Sequence, residues 1–360
     1  MNFAAAGYAS LLPAYAAAFL GGWAFAAMSL PLPWVLGPMA AVMLWKAYRP
    51  PARKTPAPLR NGALVALGIV FGLQFTGATI VLVGPYLLPY LGITAVTIVC
   101  CVGLGVLFSR WTATDRVSSV FGFIPGGLTE MVVTGTAVGA KPGTVVFLQT
   151  LRLLSVLSVV PLLVTLWFAP EGSGAALVSP AAPSAGPSAG AAGFAWYALP
   201  ALGGWLLRRI VPASYVLVPM LLTALLHIAG AGLPAIPAAA LIAAQVVVGA
   251  GLGESVSFRD LRAVSAQWWR VLLLVAAMLA LSLLLGAALH AWTGMGMPAA
   301  LLSVAPGGLI EMALTASSVG ADAAVVTSLQ MVRLYTIIGI VPIALKLWFG
   351  RGARADRLAE

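Results

Sequence analysis

The sequence predicts an all-α polytopic membrane protein built as two inverted-topology repeats, each with about five transmembrane helices plus one re-entrant Pro-Gly-Gly hairpin. Three observations predict it: an apolar composition, a duplication at a fixed offset, and loop charges that change sides between the copies. Of 360 residues, 61% are hydrophobic and 8% charged, with 19 basic against 9 acidic side chains. A soluble chain of this length carries about 90 charges, a quarter of its residues. With a mean hydropathy of +1.04, the solvent for most of this chain is lipid, which excludes a cytosolic enzyme and a free DNA-binding protein. Met1 to Leu30 contains no Lys or Arg, so it lacks the basic start of a secretory signal and reads as a retained first span.

The duplication is carried by Pro125-Gly126-Gly127-Leu128-Thr129-Glu130-Met131, which returns 181 residues later as Pro306-Gly307-Gly308-Leu309-Ile310-Glu311-Met312. The same offset pairs Gln149 and Arg152 with Gln330 and Arg333, and Leu166-Trp167-Phe168 with Leu347-Trp348-Phe349. From Pro125 to Phe168, 20 of 44 positions are identical without a gap. Upstream, Pro38-Met39 matches Pro219-Met220, and Gly68 and Gly72 match Gly249 and Gly253. The chain therefore divides into membrane repeat 1 (1–168), a Gly/Ala/Pro/Ser linker (169–193), membrane repeat 2 (194–349) and a cytoplasmic tail (350–360). The linker composition is that of a flexible tether. Apolar runs at about 10–29, 33–46, 61–77, 85–108 and 142–168 recur at about 194–208, 213–228, 238–255, 270–290 and 324–349.

Equivalent loops carry opposite charge patterns. After the second run the first copy has Lys46, Arg49, Arg53, Lys54 and Arg60, whereas the second copy has no Lys or Arg from His227 to Pro237. After the third run the pattern reverses, with no charge from Thr76 to Pro85 against Arg259, Asp260, Arg262 and Arg270. Lys141 has Asp322 as its counterpart. Because Lys and Arg mark the cytoplasmic side, the copies face opposite ways, and each must cross the membrane an odd number of times. The segment around Pro-Gly-Gly settles the count. Arg116 to Ile124 and Leu128 to Ala140 are only about 13 Å and 20 Å long as helices, too short for two crossings of ~30 Å. A hairpin that dips to mid-bilayer satisfies both constraints, giving ten spans with both termini cytoplasmic.

Most charges fall in loops, and the exceptions repeat. Glu130 and Glu311 lie three residues past the Pro-Gly-Gly turns, and Arg152 and Arg333 lie ~16 Å into the last run of each copy by helical rise. An intramembrane ionisable group is a functional-site candidate by default. Gln149 and Arg152 share a helix face at i,i+3, as Glu130 and Thr134 do at i,i+4; the second-copy faces are Gln330/Arg333 and Glu311/Thr315. Pro125, Gly126, Gly127 and Pro306, Gly307, Gly308 each end one half-helix and start another, whose free N–H groups and dipole are positive. Broken helices meeting at the midplane of inverted repeats are the mark of secondary transporters. A structural alternative stands beside this: each Glu caps a helix start, and Glu–Arg pairs only cancel charge and tie hairpin to span. His227 and His290 are unrepeated interfacial residues. Glu254, which follows Gly253 and aligns near Gln74, points to the same cavity or to an interface. Adjacent Cys100 and Cys101 form no disulfide framework or metal motif, and no metal or catalytic constellation is expected.

The paired PGGLxEM segments, Leu36-Gly37-Pro38-Met39 and the Gln-x-x-Arg that follows resemble the AbrB-type integral membrane protein family, a duplicated bacterial inner-membrane family. That resemblance covers nearly all of the chain outside the linker and tail. It implies a multi-pass protein of the bacterial inner (plasma) membrane. The family's labels, an ammonia monooxygenase and a regulator of gene expression, disagree with each other. A metal-dependent monooxygenase needs a His and carboxylate cluster that this sequence lacks. Direct transcriptional control needs a groove-reading element, for which no loop is long enough, so direct nucleic-acid binding is not expected. The residues point to a transporter, not an enzyme. It would hold a small anionic substrate on half-helix N-termini and Arg152/Arg333, with H⁺ or Na⁺ as coupling ion on Glu130 and Glu311. A membrane sensor that regulates expression indirectly is the alternative reading. The partners are the substrate and the bilayer, a homo-oligomer is left open, and no cofactor is called for.

Overall fold

The computed structural model describes residues 11–48, 54–112, 114–126, 128–168, 191–211, 213–255 and 268–359. Most of the predicted linker, Gly127, and the loop charges Arg49, Arg53, Arg259, Asp260 and Arg262 lie outside them. Every element among the described residues is helical. The first copy gives α1 (Leu12–Ala27), α2 (Pro33–Tyr48), α3 (Ala57–Gly72), α4 (Gly77–Thr112), α5 (Arg116–Phe123), α6 (Leu128–Ala137) and α7 (Pro142–Phe168). The second gives a 3₁₀ turn (Ala191–Tyr197) followed by α8 (Ala198–Leu206), α9 (Ser214–Ile228) and α10 (Ala238–Ser255). It continues through α11 (Trp268–Thr293), α12 (Met297–Val304), α13 (Leu309–Ser318) and α14 (Ala323–Ala359).

Five of the described helices are long and apolar enough to cross a membrane: Gly77–Thr112, Pro142–Phe168, Ala238–Ser255, Trp269–Thr293 and Ala323–Val341. The chain is thus an all-helical, multi-pass membrane protein. Other apolar helices, among them Leu12–Ala27, Ala57–Gly72 and Ser214–Ile228, are shorter, about 23–24 Å at 1.5 Å per residue. Two elements overrun their predicted limits. α4 begins at Gly77 and carries Pro85 and Pro89 in its interior, which lipid-exposed helices accept where neighbours satisfy the freed carbonyls. α14 continues to Ala359, through the segment predicted as a tail.

The helices sort into two compact units, and the sorting cuts across the duplication. One unit comprises Met1–Gly84, Pro161–Val256 and Ile310–Val325; the other comprises Pro85–Val160, Ser257–Leu309 and Val326–Glu360. In the first unit α2 packs on α10 and α3 on α9, so each copy's helices lie against those of the other. The contacts are exchanged in register. A methyl group added to Gly68 would lie 2.5 Å from the Val216 carbonyl oxygen, and one on Gly72 would lie 2.5 Å from that of Met220. Their equivalents reciprocate: a methyl on Gly249 would collide with the Val35 carbonyl, and one on Gly253 would lie 2.5 Å from the Met39 carbonyl. Glycines four apart on one helix face let backbones approach this closely where lipid supplies no hydrophobic drive for association.

The exchange breaks at one end. The Glu254 carboxylate, near the end of α10, accepts hydrogen bonds from the Thr55 backbone N–H (2.8 Å) and hydroxyl (2.7 Å), while Lys46 donates to the Glu254 backbone carbonyl (2.6 Å). The Tyr15 hydroxyl is 2.9 Å from that of Thr55. Glu254 is thereby an interface residue between copies, whereas its sequence position favoured the cavity over an interface. Its equivalent at the other end is Leu73, buried in an apolar cluster with Ile69, Tyr197 and Leu233, against which Ile236, the equivalent of Thr55, packs. Thr55→Val is expected to remove the hydroxyl's two hydrogen bonds, to Glu254 and Tyr15, and lower stability by about 1–3 kcal/mol, measured as a lower melting temperature in detergent; an unchanged melt would count the staple as idle.

In the second unit the small residue Gly105 of α4 lies against Val120 of α5, and its equivalent Gly286 of α11 lies against Leu301 of α12. The duplicated packing therefore extends to the short helices that precede the Pro-Gly-Gly turns. Tyr90 of α4 joins the copies by donating to the Ser303 carbonyl at 2.7 Å.

Candidate functional site

Both Pro-Gly-Gly segments break a helix for a local steric reason. The ring of a proline disfavours helical backbone at the residue before it. Ile124, preceding Pro125, is extended (φ −69°, ψ 127°), and Ala305, preceding Pro306, matches it (φ −54°, ψ 132°). α5 and α12 stop there, and α6 and α13 start beyond the glycines. Each break leaves the last carbonyls of α5 or α12 without intrahelical partners. In a buried setting those carbonyls need donors.

Gln149 and Arg152, one turn apart on α7, supply them in the first copy. The Gln149 side-chain amide donates to the carbonyls of Phe121 (2.7 Å) and Ile124 (2.9 Å), and an Arg152 guanidinium nitrogen donates to Ile124 at 2.7 Å. Gln330 and Arg333 on α14 repeat the pattern. Gln330 donates to Leu302 at 2.7 Å, and Arg333 donates to Val304 at 3.1 Å and Ala305 at 2.6 Å. A second Arg333 nitrogen reaches Gly307 at 3.4 Å and the Gln330 amide oxygen at 3.3 Å. All four side chains are buried. A cation at a helix C-terminus also offsets the negative end of the dipole. Among the described residues, each arginine thus donates to the open carbonyl end of a broken helix.

The other candidates fall as follows. Pro125 and Pro306 are buried and Gly126, Gly307 and Gly308 half-buried, while Gly127 lies outside the described residues and so does the side chain of Glu130. Glu311 is buried in the first turn of α13. A carboxylate at that position suits the positive end of the helix dipole. Thr315 is buried, and its hydroxyl donates to the Glu311 backbone carbonyl at 2.7 Å, so it turns inward on its own helix. Thr134 of α6 is half-buried. Among the described residues no group of His, Cys, Asp and Glu is arranged to hold a metal. Sequence reading paired the glycines of α3 and α10 by offset but missed their role; their four-residue spacing was the available signal. It also missed Thr55 and Tyr15, which carry none.

A duplicated, all-helical membrane protein with two proline-broken helices, each capped by a buried Gln-x-x-Arg pair, is the class this geometry defines. A family model described as Transition state regulatory protein AbrB matches residues 34–349. The chain belongs to the AbrB family. It is similar to a Bacillus subtilis (strain 168) protein, YhjN, named as uncharacterised, at 27% identity over 66% of this chain and 65% of the relative, just under two thirds of that protein's length. It is also similar to an Escherichia coli (strain K12) protein carrying the provisional name regulator AbrB, at 26% identity over 87% of this chain and 89% of the relative. No solved structure matches.

Proposed function

We propose that this protein is a secondary transporter of a small organic anion, working by alternating access in the bacterial inner membrane with both termini cytoplasmic. The observation that carries the reading is the pair of buried arginines hung on two helix breaks. A buried cation is expensive in lipid, and carbonyl capping alone needs only neutral donors such as Gln149 and Gln330. The added positive charge suits an anionic ligand. Glu130 and Glu311 would take the coupling H⁺ or Na⁺.

The inverted arrangement of the copies draws support from the first unit. Lys46, near the end of α2, and Thr55, just before α3, both bond Glu254 near the end of α10. So α2 and α10 run toward that end and α3 runs away from it. The contacts Gly68 to Val216 and Gly72 to Met220 advance together, so α9 runs with α3. That order of contacts is the one expected if the equivalent helices α2 and α9 point opposite ways, and it supports the inverted reading. Five spans and one hairpin per copy follow from that reading.

Two experiments test it. With Cys100 and Cys101 replaced by alanine, Lys141→Cys and Asp322→Cys are expected to label from opposite membrane faces; labelling from one face ends the inverted reading. In proteoliposomes, Glu130→Gln, Glu311→Gln and Arg152→Gln should each abolish most uptake of a small carboxylate, and full transport in all three removes the site. The provisional name of the Escherichia coli relative favours a second reading, a membrane sensor that alters expression indirectly. A sensor binds ligand without net flux.

A further inference from the structure

The two arginines are equivalents by sequence but not by bonding. Arg333 engages four acceptors, the carbonyls of Val304, Ala305 and Gly307 and the amide oxygen of Gln330. Among the described residues Arg152 has one acceptor, the Ile124 carbonyl, and its Nε–H is buried without a hydrogen-bond partner. It is only 5% exposed. An unmet donor on a buried guanidinium carries the full desolvation cost of that group, so natural structures supply it with water, an ion or a ligand. The Gln partners differ likewise. The Gln330 nitrogen donates to Leu302 and its oxygen accepts from Arg333, whereas the Gln149 nitrogen serves both Phe121 and Ile124.

Both arginines belong to the second unit. Two like charges held in one low-dielectric interior repel far more than they would in water. Their carbonyl contacts offset dipoles, not a net charge. A single anionic group beside Arg152 would supply the missing acceptor and reduce the repulsion. It would bind at the guanidinium edge that presents Nε, the edge suited to two-oxygen groups such as carboxylate.

We infer that the two equivalent sites have diverged: Arg333 is a brace that closes the α12 break, and Arg152 is the residue that binds the anion, one anionic group per chain. The inference rests on the anion reading proposed above. The test uses full-length protein in detergent, with acetate, succinate, citrate and inorganic phosphate as probes, binding and stoichiometry measured by calorimetry. Arg152→Lys keeps the charge but loses the Nε donor and the planar fork. It should weaken the tightest-binding probe by about 30-fold or more, in line with truncating one partner of a buried charged hydrogen bond, while the melting temperature without ligand changes little. Arg333→Lys should show the reverse, a binding change under about fivefold and a larger drop in melting temperature. Arg152→Gln, which retains a donor for Ile124, guards against loss of folding and should also lose binding.

Two bound anions per chain, or a greater loss of binding from Arg333→Lys than from Arg152→Lys, would overturn the assignment and leave the anion reading standing. If the wild-type protein binds none of the four probes, the anion reading fails and takes the assignment with it.

Discussion

Gly249→Leu is expected to yield no folded protein, and Gly68→Leu to behave the same way. Even the first carbon of either side chain collides with a backbone carbonyl, that of Val35 or Val216. Backbone in a packed helix cannot rotate aside as a flexible side chain can. The alanine variants, with one carbon only, should lose about 1–3 kcal/mol as overpacked sites do. The leucine variants should exceed the ~4–5 kcal/mol that marks exceptional damage. Controls come from the same helices. A methyl on Gly251 would meet only the Arg60 side chain at 3.8 Å, and one on Gly62 would meet nothing within 4 Å. Gly251→Ala and Gly62→Ala should therefore melt at or above the wild-type temperature, since alanine favours helix over glycine by up to ~1 kcal/mol. Detergent size-exclusion profiles and thermal melts read both outcomes. A monodisperse, wild-type-like Gly249→Leu would mean that the copies do not pack through these faces.

Arg333→Leu should destabilise the protein by about 2–4 kcal/mol. It strips donors from Val304, Ala305 and Gly307, and each buried carbonyl left unmet costs ~1–3 kcal/mol. Part of that loss is recovered because a buried guanidinium no longer has to be desolvated. Arg152→Leu removes a single recorded bond, to Ile124, which Gln149 also serves, and should cost less. Gln330→Leu falls between, leaving Leu302 without its donor and Arg333 short of one acceptor. If Arg333→Leu and Arg152→Leu lower the melting temperature equally, the bonding difference between the copies has no energetic weight.

How far the sequence could be read depended on whether the signal was local. Proline followed by two glycines stops a helix by backbone sterics alone, and both breaks lie where they were predicted. The 142–168 and 238–255 runs match their helices end to end. The i,i+3 spacing correctly placed Gln149 with Arg152 and Gln330 with Arg333 on common faces. What those faces bind was beyond spacing. An arginine in lipid needs an acceptor, which a carboxylate or a helix-end carbonyl can supply, and only the tertiary fold says which carbonyls lie in reach. The sorting of helices into units that mix the copies was equally hidden, because offset pairing relates equivalents and not neighbours. Gly68 and Gly249 were visible as a matched pair; their true partners are Val216 and Val35. Glu254 stood out as an unrepeated charge, yet its meaning depended on Thr55, nearly two hundred residues away along the chain.

The reciprocal glycine contacts have a consequence for symmetry. A surface in which residue i of one copy meets residue j of the other, and j meets i, is the isologous interface of a symmetric dimer. Here it is enclosed within one polypeptide. On the inverted reading proposed above, it is the arrangement a subunit would make with its own twin in opposite orientation. Within one chain the two halves differ: Thr55 and Glu254 form a polar staple at one end where Leu73 and Ile236 are apolar at the other, and Arg333 has four acceptors where Arg152 has one. A homodimer cannot make such changes, since every substitution appears twice; covalent joining is what lets a symmetric scaffold acquire two distinguishable ends.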